Sequence, residues 1–144
     1  MTIPDGICRI SSVGNEKYRL AFYDSDTVKA NDSSNVKVEI KNESGGQRIR
    51  FNDKGVNPST SDWFGYSTNL KSDNRVVQRT EKENLTGDNL LWAVTSAGSD
   101  QYTIKVWNAD YAWTLPSSPK NPSDIYLEPA EGKRGQLWKI EKAD

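Results

Sequence analysis

Apolar and polar positions alternate along this chain in short runs with a period of two, the pattern of half-buried β-strands. The runs are Cys8-Arg9-Ile10, Tyr18-Arg19-Leu20-Ala21-Phe22, Val36-Lys37-Val38-Glu39-Ile40, Arg48-Ile49-Arg50-Phe51 and Arg75-Val76-Val77. Later come Trp92-Ala93-Val94, Tyr102-Thr103-Ile104-Lys105-Val106, Tyr111-Ala112-Trp113-Thr114-Leu115, Ile125-Tyr126-Leu127 and Leu137-Trp138-Lys139-Ile140. No window of a dozen residues carries a helical period. The longest apolar run, Leu90-Leu91-Trp92-Ala93-Val94, is too short for a helix and is bounded by turn residues. Gly45-Gly46, Ala97-Gly98-Ser99-Asp100 and Asn108-Ala109-Asp110 read as hairpin turns. Many short strands at this spacing predict an all-β sandwich or barrel.

The strands recur as a unit. Cys8-Arg9-Ile10 is followed by Gly14 and then Tyr18-Arg19-Leu20. Val38-Glu39-Ile40 is followed by Gly45-Gly46 and Arg48-Ile49-Arg50-Phe51, and Trp92-Ala93-Val94 by Gly98 and Tyr102-Thr103-Ile104. A third of the 144 residues is about 48, room for strand, tight turn, strand, and a looser stretch closed by another strand. Three such units of four strands, the last closing on the first, predict a β-trefoil spanning residues 1–144 as one domain, without free sheet edges.

Composition narrows the chemistry. Gly, Pro, Asn, Asp and Ser make up more than a third of the chain, yet five Trp, six Tyr and three Phe argue for a packed core rather than disorder. Nineteen basic and twenty acidic residues leave a net charge of −1, too little to steer nucleic acid. Histidine is absent, which removes Ser-His-Asp and Cys-His catalysis and the common zinc sites. The one cysteine, Cys8, reads as a small buried hydrophobe that can form no intrachain disulfide. The sequons at Asn31, Asn42 and Asn84 read as ordinary loop residues. The opening Met1-Thr2-Ile3-Pro4-Asp5 has neither a charged nor an apolar leader region, and no apolar run would span a membrane. The expectation is a cytoplasmic, non-enzymatic protein with no cofactor, no metal, no nucleic-acid partner and no membrane insertion.

Gln136-Leu137-Trp138-Lys139-Ile140 resembles the Gln-x-Trp signature that ends repeats in ricin B-type β-trefoil lectins, and Leu90-Leu91-Trp92-Ala93-Val94 is a degenerate copy. The opening Ile3-Pro4-Asp5-Gly6-Ile7-Cys8-Arg9-Ile10 is similar to the start of many mushroom β-trefoil proteins. So is the tail through Tyr111-Ala112-Trp113-Thr114-Leu115 and Ile125-Tyr126-Leu127-Glu128-Pro129. That fungal group contains sugar-binding lectins and protease inhibitors of the cospin and mycocypin types. The resemblance implies one fold with either activity.

In ricin-type repeats a sugar is held by an early Asp, a later aromatic and an Asn before the Gln. The third repeat keeps Gln136 and Trp138, but Gly135 fills the Asn slot and Glu128 the aromatic one. In the second repeat Asn89 fills the Asn slot while Leu90 replaces Gln; the first lacks the signature. Some mushroom lectins instead use a second-repeat surface. The resemblance then implies ligand-binding roles for Trp63, Tyr66, Asn69, Asp88, Asn89, Leu90, Leu91 and Trp92. On their own terms, three aromatics in Trp63-Phe64-Gly65-Tyr66, after the polar Ser59-Thr60-Ser61-Asp62, cannot all face one core from a strand. Either Trp63 or Tyr66 becomes a stacking plate, with Asp88 and Asn89 as polar partners, or the cluster seals the barrel end. Trp92 and Trp138, at the repeat-closing position, are expected to be buried. The leading reading is therefore a lectin for a short glycan or glycoprotein, gaining avidity as a homodimer or on multivalent glycans.

The alternative is an inhibitor of a serine or cysteine protease. Its candidate loops are Lys71-Ser72-Asp73-Asn74-Arg75, offering Asn74 or Arg75, and Glu131-Gly132-Lys133-Arg134-Gly135, offering Lys133 or Arg134. Both also read as solvated turns. The carboxylate pairs Asp24/Asp26, Glu81/Glu83 and Glu128/Glu131 lie in polar, turn-rich surroundings that would not raise a carboxyl pKa for acid catalysis. They read as solvated charges.

Overall fold

The computed structural model describes residues 3–52, 63–82 and 84–143, and these form an all-β structure. Its strands are β1 (Gly6–Ser12), β2 (Arg19–Ala21), β3 (Lys29–Asn31), β4 (Val38–Glu43), β5 (Gly46–Phe51), β6 (Trp92–Gly98), β7 (Gln101–Val106), β8 (Tyr111–Thr114), β9 (Ser123–Asp124), β10 (Tyr126–Pro129) and β11 (Trp138–Lys142). The polar Ser59-Thr60-Ser61-Asp62 run and Glu83 lie outside the described residues.

Six of these strands close on themselves. β1 pairs with β4, β4 with β5, β5 with β6, β6 with β7, β7 with β11, and β11 returns to β1, all antiparallel. Closure leaves the barrel no free edge. Alternation explains the burial: Ile10, Val38, Ile40, Ile49, Val94, Ile104 and Ile140 point inward, while their strand neighbours are exposed or half-buried. The Gly45-Gly46 and Ala97-Gly98-Ser99-Asp100 turns join β4 to β5 and β6 to β7 as expected.

The remaining strands cover one end of the barrel. β2 pairs with β3, β8 with β10, and β9 with β3. Between β5 and β6 the corresponding contacts are single bridges, Gly65 to Val77, Thr27 to Val77 and Arg75 to Tyr126. The Arg75-Val76-Val77 run is thus no strand, and this corrects the sequence reading. Its neighbours supply one ladder contact at a time, although Val76 and Val77 are fully buried. The short strands β3 and β9 escaped the pattern because two or three residues carry no period.

Aromatic rings fill the covered end. Trp113 meets Trp92 at 5.4 Å and Trp138 at 5.8 Å between ring centres, both edge to face, and Phe51 meets Phe64 at 4.9 Å. Trp92 and Trp138 are fully buried, as their repeat-closing position implied, and Cys8 is buried as well. Their indole Nε1 groups make corresponding bonds, Trp92 to the Phe64 carbonyl at 3.2 Å and Trp138 to the Trp113 carbonyl at 3.0 Å.

Candidate functional site

Those paired indole bonds put two stretches in register. The Tyr66 N–H donates to the Asn89 carbonyl at 3.0 Å, as the Leu115 N–H does to the Gly135 carbonyl at 2.9 Å. Leu91 N–H reaches the Asp88 carbonyl, as Leu137 N–H reaches that of Arg134. A 3-10 turn precedes each tryptophan, Gly87–Leu90 in one case and Arg134–Gln136 in the other. Asp88 therefore corresponds to Arg134, Asn89 to Gly135, and Leu90 to Gln136.

The two stretches hold themselves together differently. Fully buried Gln136 accepts from the Glu131 N–H at 2.8 Å and donates to the Pro129 carbonyl at 2.9 Å and the Thr114 hydroxyl at 3.2 Å. Leu90 can make none of these bonds and packs over Gly65 instead. A Cβ at Gly65 would lie 2.9 Å from Leu90 Cδ2 and 2.7 Å from the Asn89 carbonyl oxygen, so only glycine fits. The hydrogen-bonding role passes to neighbours: Asn89 Nδ2 donates to the Tyr66 carbonyl at 3.0 Å, and the Tyr66 hydroxyl donates to the Asp88 carbonyl at 2.7 Å. That hydroxyl also accepts from the Trp107 N–H at 3.2 Å.

This arrangement borders a cleft of about 260 Å³ lined by Tyr66, Thr68, Leu70, Asp88, Asn89 and Asn108, with Ser67, Val106 and Ala109 completing its walls. The exposed Asp88 carboxylate has no hydrogen-bond or ion-pair partner among the described residues, and neither do the Thr68 hydroxyl and the Asn108 amide. Leu70, Val106 and Ala109 provide an apolar side. The cleft can thus offer a charged acceptor, an amide and a hydroxyl beside apolar surface, the mixture that fixes a small polar ligand.

The expected site residues divide. Tyr66, Asp88 and Asn89 come together in the cleft. Tyr66 is no outward plate, however: 6% exposed, its ring stands edge-on to Trp92 at 4.9 Å and its hydroxyl is bonded on both sides. Burial pushes its phenol pKa up, which keeps the proton on the donor. Trp63 is half-buried, lies outside the cleft lining, and carries the Arg50 guanidinium over one face at 4.3 Å from the ring centre. Asn69 is exposed, and its side-chain oxygen accepts from the Lys71 N–H, shaping its own loop. Leu91 and Trp92 are buried and Leu90 is half-buried beneath the turn, so these three support the cleft from inside. Ser67, Thr68, Leu70 and Asn108 were missed. Asn108 was legible only as a turn residue, and its place against Asp88 depends on β7 lying next to β6.

The protease-directed residues sit in tied loops. The Asn74 carbonyl accepts from the Leu127 N–H at 2.6 Å, and Arg75 pairs with Asp73 at 3.1 Å. Lys133 is exposed and pairs with Glu131 at 2.8 Å. Its carbonyl accepts from the Gln136 N–H at 2.8 Å as the chain enters a 3-10 turn, and Arg134 donates to the Val13 carbonyl at 3.2 Å. Of the carboxylate pairs, Asp24 and Asp26 pair with Arg79, Asp26 also with Lys82, and Glu131 with Lys133, so they face basic side chains at the surface.

No family model matches the chain, and no curated protein matches it in sequence. Solved structures do resemble it. A proteinase inhibitor from Coprinopsis cinerea superposes with a TM-score of 0.74 at 10% identity, over 99% of this chain and 100% of that one. ThreeFoil, a designed 3-fold symmetric protein, superposes with a TM-score of 0.71 at 14% identity, over 96% of this chain and 100% of its own. SeviL, solved bound to the asialo-GM1 saccharide, gives 0.68 at 13% identity, over 98% of this chain and 100% of its own. At such identities the likeness is one of fold.

Proposed function

We propose that this chain is a β-trefoil carbohydrate-binding protein without enzymatic activity, and that the cleft beside Asp88 is its glycan site. The six-strand ring, the corresponding turns before Trp92 and Trp138, and the likeness to a designed three-fold protein support the trefoil. The observation that carries the glycan reading is the convergence on one cleft with an apolar side of Asp88, Thr68 and Asn108, whose polar groups have no partner among the described residues. A carboxylate accepts from two adjacent sugar hydroxyls, an amide both donates and accepts, and Leu70 and Ala109 suit the apolar C–H face of a pyranose. With no free aromatic plate in the cleft, affinity rests on hydrogen bonds to one or two sugar residues. That corresponds to a Kd in the millimolar to micromolar range, about −4 to −8 kcal/mol. Useful binding then calls for multivalent glycans or a homodimer.

The inhibitor reading is supported by the fold likeness to the Coprinopsis proteinase inhibitor and by the exposed Lys133. The Lys133 backbone is itself extended, as a substrate-like loop requires, but its carbonyl is already engaged by the Gln136 N–H at 2.8 Å where the 3-10 turn begins. A glycan-array screen run beside trypsin, papain and legumain inhibition assays separates the two. Glycan signal without inhibition is the expected result. Nanomolar inhibition with a blank array would overturn it.

A further inference from the structure

A second groove lies along β1, β2, β11 and the β6–β7 turn, and it shares no lining residue with the Asp88 cleft. Ser11 of β1 stands directly opposite Lys139 of β11 on one side and Arg19 of β2 on the other. Directly opposed residues of antiparallel strands project from the same face, roughly 4.5–5.5 Å apart. That face is the outer one, because the flanking Ile10, Ser12, Leu20, Trp138 and Ile140 are all buried. The sheet therefore sets guanidinium, hydroxyl and ammonium side by side in a row along the floor of a groove of about 500 Å³.

The cations in this row are weakly engaged. Arg19 makes no ion pair among the described residues, and its one bond there is a long one, 3.4 Å, to the Ser34 carbonyl. Among the described residues, Lys139 forms an ion pair only with Glu141, at 3.6 Å, with both side chains about half exposed, a pairing worth little in water. Around this row, as its rim, stand Glu16 and Asp100, neither in an ion pair among the described residues, the amide of Gln101, and the Glu141 carboxylate beside Lys139. The groove is thus divided by chemistry. Its floor favours one anionic group, and its rim accepts hydroxyl protons while repelling further negative charge.

We propose that this groove binds a saccharide carrying a single carboxylate or sulfate, its acidic group on Arg19, Ser11 and Lys139 and its hydroxyls on Glu16 and Asp100. A dense polyanion is disfavoured by the rim carboxylates, and a neutral sugar leaves the two cations unused. The groove's volume matches a mono- or disaccharide.

The test is an amide NMR titration of the whole chain with glucuronic acid and galactose 6-sulfate, beside glucose, galactose and inorganic sulfate. Millimolar binding of the acidic sugars is expected, with shifts concentrated at residues 11, 19 and 139, weakening severalfold as salt screens the contact. Arg19→Ala combined with Lys139→Ala should lower affinity at least tenfold. Asp88→Ala should leave it unchanged, so failure here is distinguishable from failure at the other cleft. All three side chains are exposed, and far-ultraviolet circular dichroism checks that the fold is kept. Three results would overturn the proposal: neutral sugars shifting residues 11, 19 and 139 at equal affinity, sulfate alone reproducing those shifts at equal affinity, or the double variant binding the acidic sugars like the parent.

Discussion

Trp113 and Trp138 are both fully buried indoles in edge-to-face contact, yet they differ in one hydrogen bond. Trp138 Nε1 donates to the Trp113 carbonyl, whereas Trp113 Nε1 has no partner among the described residues. Trp138→Phe leaves that carbonyl orphaned as well as losing volume, while Trp113→Phe removes an indole N–H whose burial already costs stability. Urea unfolding should therefore find Trp138→Phe the more damaging, by roughly 1–3 kcal/mol. Trp138→Ala should cost about 3–5 kcal/mol. Equal losses for the two Phe variants would show that the bond contributes nothing. At this scale burial of Trp92 and Trp138 was legible from the repeat-closing positions the sequence pattern suggested for them. The inward turn of Tyr66 was not, since its bonds to the Asp88 carbonyl and the Trp107 N–H join segments distant in sequence.

The two corresponding turns show what an element demands of its residues. Gly135 fills the slot held by Asn89, and restoring an asparagine there looks simple in sequence. In space, a Cβ at Gly135 would meet the Leu115 carbonyl oxygen at 2.5 Å. Gly135→Asn should thus destabilise the protein by about 1–3 kcal/mol without creating a second glycan site, as thermal unfolding and glycan titration would show. Gly65→Ala should cost a similar 1–3 kcal/mol, because Asn89, Thr80 and Leu90 all close on that position. Most strands were legible, since their inward and outward residues alternate over four residues or more. The Arg75-Val76-Val77 run failed because single bridges replace a ladder. The loss of Gln at Leu90 read as decay of a signature, but Asn89 and Tyr66 tie that turn with different hydrogen bonds of their own.

Across the whole molecule, Asp124 ties together segments nearly a hundred residues apart. Its carboxylate accepts from Thr27 and Lys29, both at 2.7 Å, and lies 4.0 Å from Arg75. Burial pushes the Asp124 pKa up, but the Lys29 and Thr27 hydrogen bonds and the nearby Lys29 and Arg75 charges outweigh it and hold the carboxyl below its ordinary 3.8. A depressed folded-state value contributes stability that is full above the ordinary value and is lost as pH falls through the folded one. Asp124→Asn should accordingly lower stability at pH 7 by roughly 1–3 kcal/mol and flatten its decline between pH 4 and pH 2, measured by urea midpoints. A decline as steep as the parent's would remove Asp124 from the account. Barrel closure itself was expected from the recurring short strands, whereas the cleft was legible only in part, because Asn108 and Thr68 lie 40 residues apart in the chain. The central claim is that Asp88, Thr68 and Asn108 hold a glycan, and an amide NMR titration with the glycan selected on the array tests it most directly. Shifts should concentrate at residues 67–70, 88–89 and 108, and Asp88→Ala should abolish saturable binding while the melting temperature stays within a few degrees of the parent's. Shifts gathered at residues 133–135, or undiminished binding by Asp88→Ala, would contradict it.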